Sequence, residues 1–166
     1  MSINITKATA ADIITIQSIA ASTWPTTYSD ILSGNQISYM LDKMYKTTVL
    51  QTQIAAPNNQ YFLAEKDGQV IGFCHVAASE DVATYKLHKI YVLPNIQKSG
   101  AGVSLLNAAE DYAKQNGAKD IILNVNRHNN AFQFYQKMGF QILRTEDIDI
   151  GNNYYMNDYV LTKSLS

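Results

Sequence analysis

The spacing of apolar residues divides the chain into segments of helical and of strand-like periodicity. Apolar residues that recur every three or four positions predict about four helices, in the segments 13–24, 37–54, 103–113 and 131–138. Continuous or alternating apolar runs predict about seven strands, in the segments 3–8, 61–65, 69–78, 86–93, 121–125, 140–150 and 154–162. Helices and strands in this order predict an α/β (α+β mixed) fold, in which one mostly antiparallel sheet is covered by helices on both faces.

Proline and glycine residues mark the ends of several of these segments. Pro25 is expected to end the first helix near Trp24, because proline removes a backbone donor from a helix. Gly68 predicts a tight hairpin turn between the second and third strands. Gly117 stands where the C-terminal cap of the helix over 103–113 is expected.

The length and the cysteine content fit one domain in a reducing compartment. With 166 residues, the chain is long enough for a single domain with its own core, and we interpret residues 1–166 as that domain. Cys74 is the only cysteine, so an intrachain disulfide is excluded and a cytoplasmic location is expected. Since Cys74 lies within an apolar run, we expect a buried thiol rather than a nucleophile.

Charge and hydropathy argue against two classes of partner. The 13 basic and 14 acidic side chains give a net charge of −1 without a cluster of Lys and Arg, which disfavours nucleic acid as a partner. No apolar run reaches the roughly 18 residues of a membrane-spanning helix, and the N-terminal residues lack a basic region followed by a long apolar stretch. We therefore expect no membrane association, and a small ligand that is at most weakly charged.

A glycine-rich loop follows the strand that ends in Ile90, Tyr91 and Val92. The loop runs from Pro94 to Gly102 and leads into the helix over 103–113. A helix N-terminus carries unpaired backbone N–H groups and partial positive charge, and glycines let the chain approach an anion closely, so the loop predicts a phosphate or pyrophosphate site. Its spacing matches neither the dinucleotide fingerprint G-x-G-x-x-G nor the P-loop G-x-x-x-x-G-K-[ST].

Two motifs together resemble those of the Gcn5-related N-acetyltransferases (GNAT). The first is Q-x-x-G-x-G from Gln97 to Gly102, and the second is the segment 129–140, which contains Tyr135 and ends in Lys-x-Gly-Phe. The resemblance implies acetyl-CoA as the co-substrate, no metal, and two central strands that splay apart to admit the pantetheine arm. The residues that it places around coenzyme A are Ile90, Tyr91, Val92, Gln97, Lys98, Ser99, Gly100, Ala101, Gly102, Val103, Asn126, Asn129 and Tyr135.

The resemblance also implies a proton donor and leaves the base open. Tyr135 stands at the family's position for the phenol that protonates the leaving thiolate. Many members carry a basic Glu on the strand before the glycine loop, but the aligned residue here is Lys86. We expect His88, on the same strand face, to be the base, because its ordinary pKa of about 6.5 suits proton transfer. The alternatives are that His88 only packs or caps a carbonyl, or that His75 or Glu65 takes the proton.

The acceptor substrate is the least defined part of the interpretation. By resemblance, Trp24, Tyr28 and Tyr39 line the acceptor pocket, although core packing or an oligomer contact explains each of them as well. We expect His75 to lie at the same pocket. The stretch Trp24-Pro25-x-x-Tyr28 is similar to bacterial acetyltransferases associated with polyamines. We expect a monomer or homodimer that acetylates the primary amine of a small molecule or peptide. The alternatives are a non-catalytic acyl-CoA-binding sensor and a nucleotide-phosphate binder.

Overall fold

The computed structural model describes residues 2–96 and 99–165 of the chain. Its seven strands are β1 (Asn4–Lys7), β2 (Asn59–Lys66), β3 (Gln69–Ala78), β4 (Thr84–Val92), β5 (Asp120–Asn126), β6 (Gln141–Gly151) and β7 (Tyr154–Ser164). Its five α-helices are α1 (Ile13–Tyr28), α2 (Gly34–Met44), α3 (Thr47–Ala55), α4 (Ala101–Gln115) and α5 (Ala131–Lys137). Short 3₁₀ turns precede α1 and follow β4.

The described strands form one sheet in the order β1-β2-β3-β4-β5-β7-β6. β4 and β5 run parallel, and the other neighbouring pairs in this order are antiparallel. The predicted mixed, mostly antiparallel sheet is therefore confirmed. In the part of the chain that the structure describes, no helix has the length and apolar character needed to cross a membrane.

Helices cover both faces of the sheet and create two hydrophobic cores. On one face, α4 packs through a row of apolar side chains whose fully buried members include Leu105, Leu106, Ala109 and Ala113. On the other face, α1 to α3 pack through buried residues that include Ile16, Trp24, Ile37, Met40 and Leu50. Burial of apolar area on both faces is the main force that holds the layers together.

β4 and β5 are paired over only about half of their length. They pair only over Thr84–Leu87 and Asp120–Leu123, after which β4 stays with β3 and β5 stays with β7. A gap between neighbouring strands leaves main-chain N–H and C=O groups facing it, and these groups need hydrogen-bond partners. The expected splayed central strands are thus present, and the gap between them can pair with an extended ligand.

A β-bulge lies in β4 at the level where β5 leaves it. His75 pairs with Lys89 and Val76 pairs with Leu87, so His88 is the extra residue. Side chains two apart in a regular strand share a face, but a bulge resets that alternation. Leu87 accordingly packs in the core beneath α4, whereas Lys89 points to the opposite face, towards α2 and β2.

The first helix is longer than predicted. α1 continues through Pro25 to Tyr28, although proline cannot donate the helical hydrogen bond to the carbonyl four residues earlier. Tertiary contacts hold the last turn: the rings of Trp24 and Tyr28 lie 4.6 Å apart, and the Tyr28 hydroxyl is 3.0 Å from the Tyr91 hydroxyl on β4. Packing has overridden the local signal, and it carries Tyr28 to the edge of the gap.

Gly72→Ala is expected to destabilise the protein. A Cβ at Gly72 would lie 2.7 Å from the backbone oxygen of Tyr91 and 3.3 Å from Leu105 Cδ1, so β4 and α4 would have to shift. Such overpacking costs about 1–3 kcal/mol of unfolding free energy. Gly34→Ala is the matched control, because a Cβ there meets nothing within 4 Å. Urea denaturation should show the loss only for Gly72→Ala; equal effects would contradict the close approach.

Candidate active site

Tyr135 lies on α5 and is buried close to the gap between β4 and β5. Its ring packs edge-on against Phe134 and Phe140, at centroid distances of 5.4 Å and 5.8 Å. Burial raises the pKa of Tyr135 well above its ordinary value, and the nearby Tyr28 and Cys74 raise it further. The phenol is therefore protonated at neutral pH and can act as a donor.

The segment between β5 and α5 is shaped by two asparagine side chains. Asn126 Oδ1 accepts a hydrogen bond from the backbone N–H of His128 at 3.0 Å. Asn129 Oδ1 accepts one from the backbone N–H of Ala131 at 2.9 Å, which caps the start of α5. Both amide oxygens thus support the local turn, and the predicted contacts of Asn126 and Asn129 with the pantetheine arm stay predictions.

The glycine loop leads from β4 into α4, as the sequence predicts. Gln97 and Lys98, two of the predicted coenzyme A contacts, lie outside the described residues. Gly100 immediately precedes α4 with φ of +89°, a left-handed conformation that glycine adopts readily. A Cβ at Gly100 would meet no described residue within 4 Å. Ser99 Oγ accepts a hydrogen bond from Ala101 N at 3.4 Å, and the Ala101 side chain is buried.

The remaining loop positions differ in their surroundings. Gly102 faces α5, because a Cβ there would lie 3.6 Å from the ring of Phe134. Val103 is exposed, and Ile90 and Val92 of β4 pack against the core beneath α4. Tyr91 projects to the other face, where it contacts Trp24 and Tyr28.

The aromatic residues expected to line an acceptor pocket occupy three different environments. Trp24 is fully buried, and its Nε1 donates to the Tyr45 hydroxyl at 3.4 Å, so it forms the packed base beneath Tyr28. The Tyr28 hydroxyl lies near Tyr91, as noted above. Tyr39 joins α2 to the β6–β7 hairpin, since its hydroxyl donates to the Ile150 carbonyl at 3.0 Å. The acceptor roles of Trp24, Tyr28 and Tyr39 stay predictions.

His75 and His88 belong to a stack of three rings across β2, β3 and β4. The rings of Tyr61 and His75 lie 4.2 Å apart, and those of His75 and His88 lie 4.9 Å apart. His75 Nε2 is 2.8 Å from Asn59 Oδ1, while its Nδ1 is buried and unpartnered. Burial and the charge of Lys89 lower the pKa of His75, which is therefore neutral.

His88 keeps an exposed face, but its surroundings disfavour a positive charge. Desolvation lowers the pKa of His88, and the charges of Lys86 and Lys89 lower it further. The ring is consequently neutral at neutral pH and can accept a proton. The positive charge of Lys86, and that of Lys89 when it is protonated, repels an approaching ammonium group, which weakens the prediction that His88 is the base.

Lys89 is a buried amine without a carboxylate partner among the described residues. Its Nζ donates to the Tyr61 hydroxyl at 2.8 Å and lies 4.3 Å above the ring of Tyr45. Desolvation lowers the pKa of Lys89 to about 7. An open cavity of about 270 Å³ reaches this amine, and its lining residues are Lys43, Met44, Val49, Gln53, His75, His88 and Lys89.

Asp158 is a buried carboxylate that the sequence patterns did not single out. It lies on β7 opposite Asn126 and is 5% exposed. Its Oδ2 accepts a hydrogen bond from Asn124 Nδ2 at 3.3 Å, and its Oδ1 is buried with no hydrogen-bond partner. Burial raises the pKa of Asp158. A charged residue within the mostly apolar segment 154–162 was the available signal, but it does not reveal what surrounds the side chain.

Comparisons with known proteins identify the family and agree with this fold. The sequence model of the Acetyltransferase (GNAT) domain matches residues 29–154. Spermidine N(1)-acetyltransferase of Thermoplasma acidophilum is 31% identical over 154 residues, which cover 90% of this chain and 94% of that protein. An uncharacterised N-acetyltransferase of Mycobacterium bovis is 27% identical over 151 residues, which cover 90% of this chain and 96% of that protein.

A solved structure shows the same architecture. The crystal structure of PaiA N-acetyltransferase from Thermoplasma acidophilum in complex with coenzyme A has a TM-score of 0.85 and 28% identity to this chain, with 99% of each chain covered. The chain therefore belongs to the GNAT acetyltransferase family. It is an N-acetyltransferase, and the predicted family and enzyme class are confirmed.

Lys89→Met is expected to change how stability depends on pH. In the folded protein the Lys89 pKa is about 7, against an ordinary value of 10.5, so between these values the unfolded chain binds a proton that the folded chain does not. The stability of the wild type relative to the variant should therefore rise with pH across this window. We expect a rise of about 4 kcal/mol between pH 7 and pH 10, since one pKa unit corresponds to about 1.4 kcal/mol.

The measurement is urea denaturation of both proteins at several pH values from about 6.5 to 10. Taking the difference between the two proteins cancels the titrations that do not depend on Lys89. In the folded protein, His75 and His88 titrate below the pH range of the experiment. A difference that does not change with pH would show that the Lys89 amine stays charged in the folded protein.

Proposed function

We propose that the protein transfers the acetyl group of acetyl-CoA to the primary amine of a small molecule or peptide. The amine attacks directly while both substrates are bound, and residues 1–166 act as one catalytic domain. The observation that carries this proposal is the β4–β5 gap: β4 continues from it into the glycine loop before α4, and Tyr135 is buried in the same hydrophobic core as residues of β4 and β5. The coenzyme A complex of PaiA, a relative of the same fold, supports the choice of donor.

The residues around the gap fit acetyl-CoA. The backbone of β4 over 90–92 can pair with the amide groups of the pantetheine arm, which would act as a short strand. The N-terminus of α4, reached through Gly100, offers N–H groups and partial positive charge to the pyrophosphate. Acetyl-CoA supplies the activated thioester, and the gap holds it in an extended form.

Tyr135 is the proposed donor to the leaving sulfur. Its pKa lies well above the ordinary thiol value of about 8.5, so a hydrogen bond to the developing thiolate is favoured over complete proton transfer. A donor that is positioned in advance stabilises charge without reorganisation. Burial of the ring between Phe134 and Phe140 provides that positioning.

Cys74 does not fit a mechanism through an acyl-cysteine. Its side chain is fully buried, and its Sγ–H donates a hydrogen bond to the Leu105 carbonyl oxygen at 3.6 Å. Burial raises the pKa of Cys74 to about 12, so the reactive thiolate is scarce at neutral pH. Direct attack by the amine is the simpler route.

A panel of amines tests the proposed activity. Release of free coenzyme A from acetyl-CoA should be detected with at least one of the polyamines, amino acids, peptides or aminoglycosides. Tyr135→Phe should lower kcat for that acceptor by about 10²–10³-fold, the usual effect of removing one transition-state donor. Phe132→Tyr, elsewhere on α5, is a control that should retain activity. A wild-type enzyme that is silent with the whole panel would favour the acyl-CoA sensor instead.

Gly100→Ala tests the donor site at the other end of the gap. With φ of +89° an alanine is strained by about 1–2 kcal/mol, and the loop should move away from its anion-binding conformation. We expect the KM for acetyl-CoA to rise about tenfold, as that energy implies. Gly117→Ala is the matched control, because Gly117 also has φ of +89° and open space but lies beyond the opposite end of α4.

Both glycine variants should lose similar thermal stability. Only Gly100→Ala should change the KM for acetyl-CoA in steady-state kinetics. An unchanged KM in Gly100→Ala, or an equal change in both variants, would refute a phosphate site at this loop.

A further inference from the structure

We propose that Asp158 receives the ammonium group of the acceptor and takes its proton before acetyl transfer. The proposal rests on the proposed function and adds to it the residue that recognises the acceptor nitrogen. The Oδ1 atom of Asp158 is buried and has no hydrogen-bond partner among the described residues.

The unpartnered oxygen requires an explanation. A buried carboxylate oxygen without a hydrogen bond costs folding free energy on the order of 1–3 kcal/mol, more when it is charged. Asn124 satisfies Oδ2, while Oδ1 has no hydrogen-bond donor within reach. Such groups persist where they serve a ligand, and a ligand that brings N–H donors and positive charge is the natural partner.

The place of Asp158 in the sheet is close to the reaction centre. It pairs with Asn126, the last residue of β5, so only β5 separates it from the gap. Its side chain shares a face with Met156, which packs in the core formed by α1 to α3. Tyr28 at the end of α1 is near as well, because its pKa is raised first by burial and also by the charge of Asp158.

The described charged residues around Asp158 do not form a salt bridge with it, so its negative charge can still pair with a cation. Lys86 of β4 and Arg127 lower the Asp158 pKa, and Glu146 of β6 raises it, after the larger effects of burial and Asn124. Two of these three are engaged elsewhere: Arg127 pairs with Asp147 at 2.8 Å, and Glu146 pairs with Arg144 at 2.7 Å. Lys86 has no salt-bridge partner within 4.0 Å among the described residues.

The two sides of the gap therefore differ in the charge that they attract. On the β3–β4 side, Lys89 and the neutral His88 lie beside Lys43 along the open cavity, and no carboxylate lines it. On the β5–β7 side, Asp158 presents a buried carboxylate. An alkyl ammonium, whose ordinary pKa is about 10.4, enters as a cation and is attracted to the second side.

Asp158 deprotonates the ammonium before the nitrogen attacks the thioester. An N–H bond of the bound ammonium breaks, an O–H bond forms on Asp158 Oδ1, and the freed lone pair on nitrogen forms a C–N bond at the thioester carbonyl. The C–S bond then breaks, and coenzyme A leaves as a thiolate that accepts a hydrogen bond from Tyr135. The second proton that the nitrogen must lose passes through solvent to this thiolate, which is released as the free thiol. Asp158 becomes neutral, and it returns the proton to solvent after the product leaves. Burial favours the protonated carboxyl, which makes Asp158 a stronger base than an exposed carboxylate.

The test compares two minimal primary amines, ethylamine and 2,2,2-trifluoroethylamine. Fluorine lowers the pKa of the second amine, so at neutral pH it is already uncharged and needs no base to remove a proton before it attacks. Asp158→Asn keeps the shape of the side chain and removes its charge. We expect kcat/KM for ethylamine to fall by about 10²–10⁴-fold, the usual worth of a general base, and kcat/KM for trifluoroethylamine to fall by less than about tenfold.

Glu146→Gln is the matched control. It removes the same charge from the residue directly opposite Asp158 on β6, and we expect both amines to keep kcat/KM within about threefold, as for an exposed ion pair. The KM for acetyl-CoA should be unchanged in both variants, which shows that the fold and the donor site are intact.

Three results would overturn the assignment to Asp158. The first is an equal loss for both amines in Asp158→Asn, and the second is no loss for either. The third is a wild-type enzyme that acetylates larger amines of the panel but neither minimal amine, because a site for the bare ammonium must accept them. A wild type that acetylates no amine at all would instead refute the proposed function.

Discussion

The separation of β4 from β5 after Leu87 is the constraint on which the rest of the site depends. A regular parallel pair would satisfy its own backbone groups and would leave no place for a ligand. The bulge at His88 lies where the pairing ends, and bulges increase local twist. β3 on one side and β7 on the other hold the two strands apart, since each strand keeps its outer partner to its carboxyl end. The gap is therefore a product of the sheet and not of a flexible loop.

The same separation distributes charge across the molecule. The bulge turns Lys89 onto the face of α1 to α3, where it is buried against Tyr45 and Tyr61 without an acid. On the far side of the gap, Asp158 is buried without a salt bridge within 4.0 Å to any described residue. Burying unpaired charges is costly, and two such groups on opposite flanks of one gap point to function more than to stability. The resulting field favours one orientation of a substrate that carries a cation.

The parts of the fold that the sequence predicts are those set by local signals. The hairpin at Gly68 needed only a positive φ, which the structure shows there, and Gly100 likewise takes the left-handed conformation expected of a loop that approaches an anion. The splayed strands were predicted from the resemblance to the GNAT family, because no local sequence pattern in β4 or β5 indicates them. The bulge at His88 was not predicted, because regular alternation of side chains between the two faces was expected throughout β4. Its consequence, the burial of Lys89, contradicts the usual exposure of lysine.

Asp158 shows why the chemistry of the site is harder to predict than its fold. The hydrogen bond from Asn124 and the proximity of Tyr28 exist only after β5, β7 and α1 have assembled. Tyr28, Tyr91 and Tyr135 have raised pKa values, chiefly because they are buried, and so their hydroxyl groups are neutral. Neutral hydroxyls can donate hydrogen bonds to developing charge without competing for a proton. The buried carboxylate of Asp158 decides where a positive charge can reside.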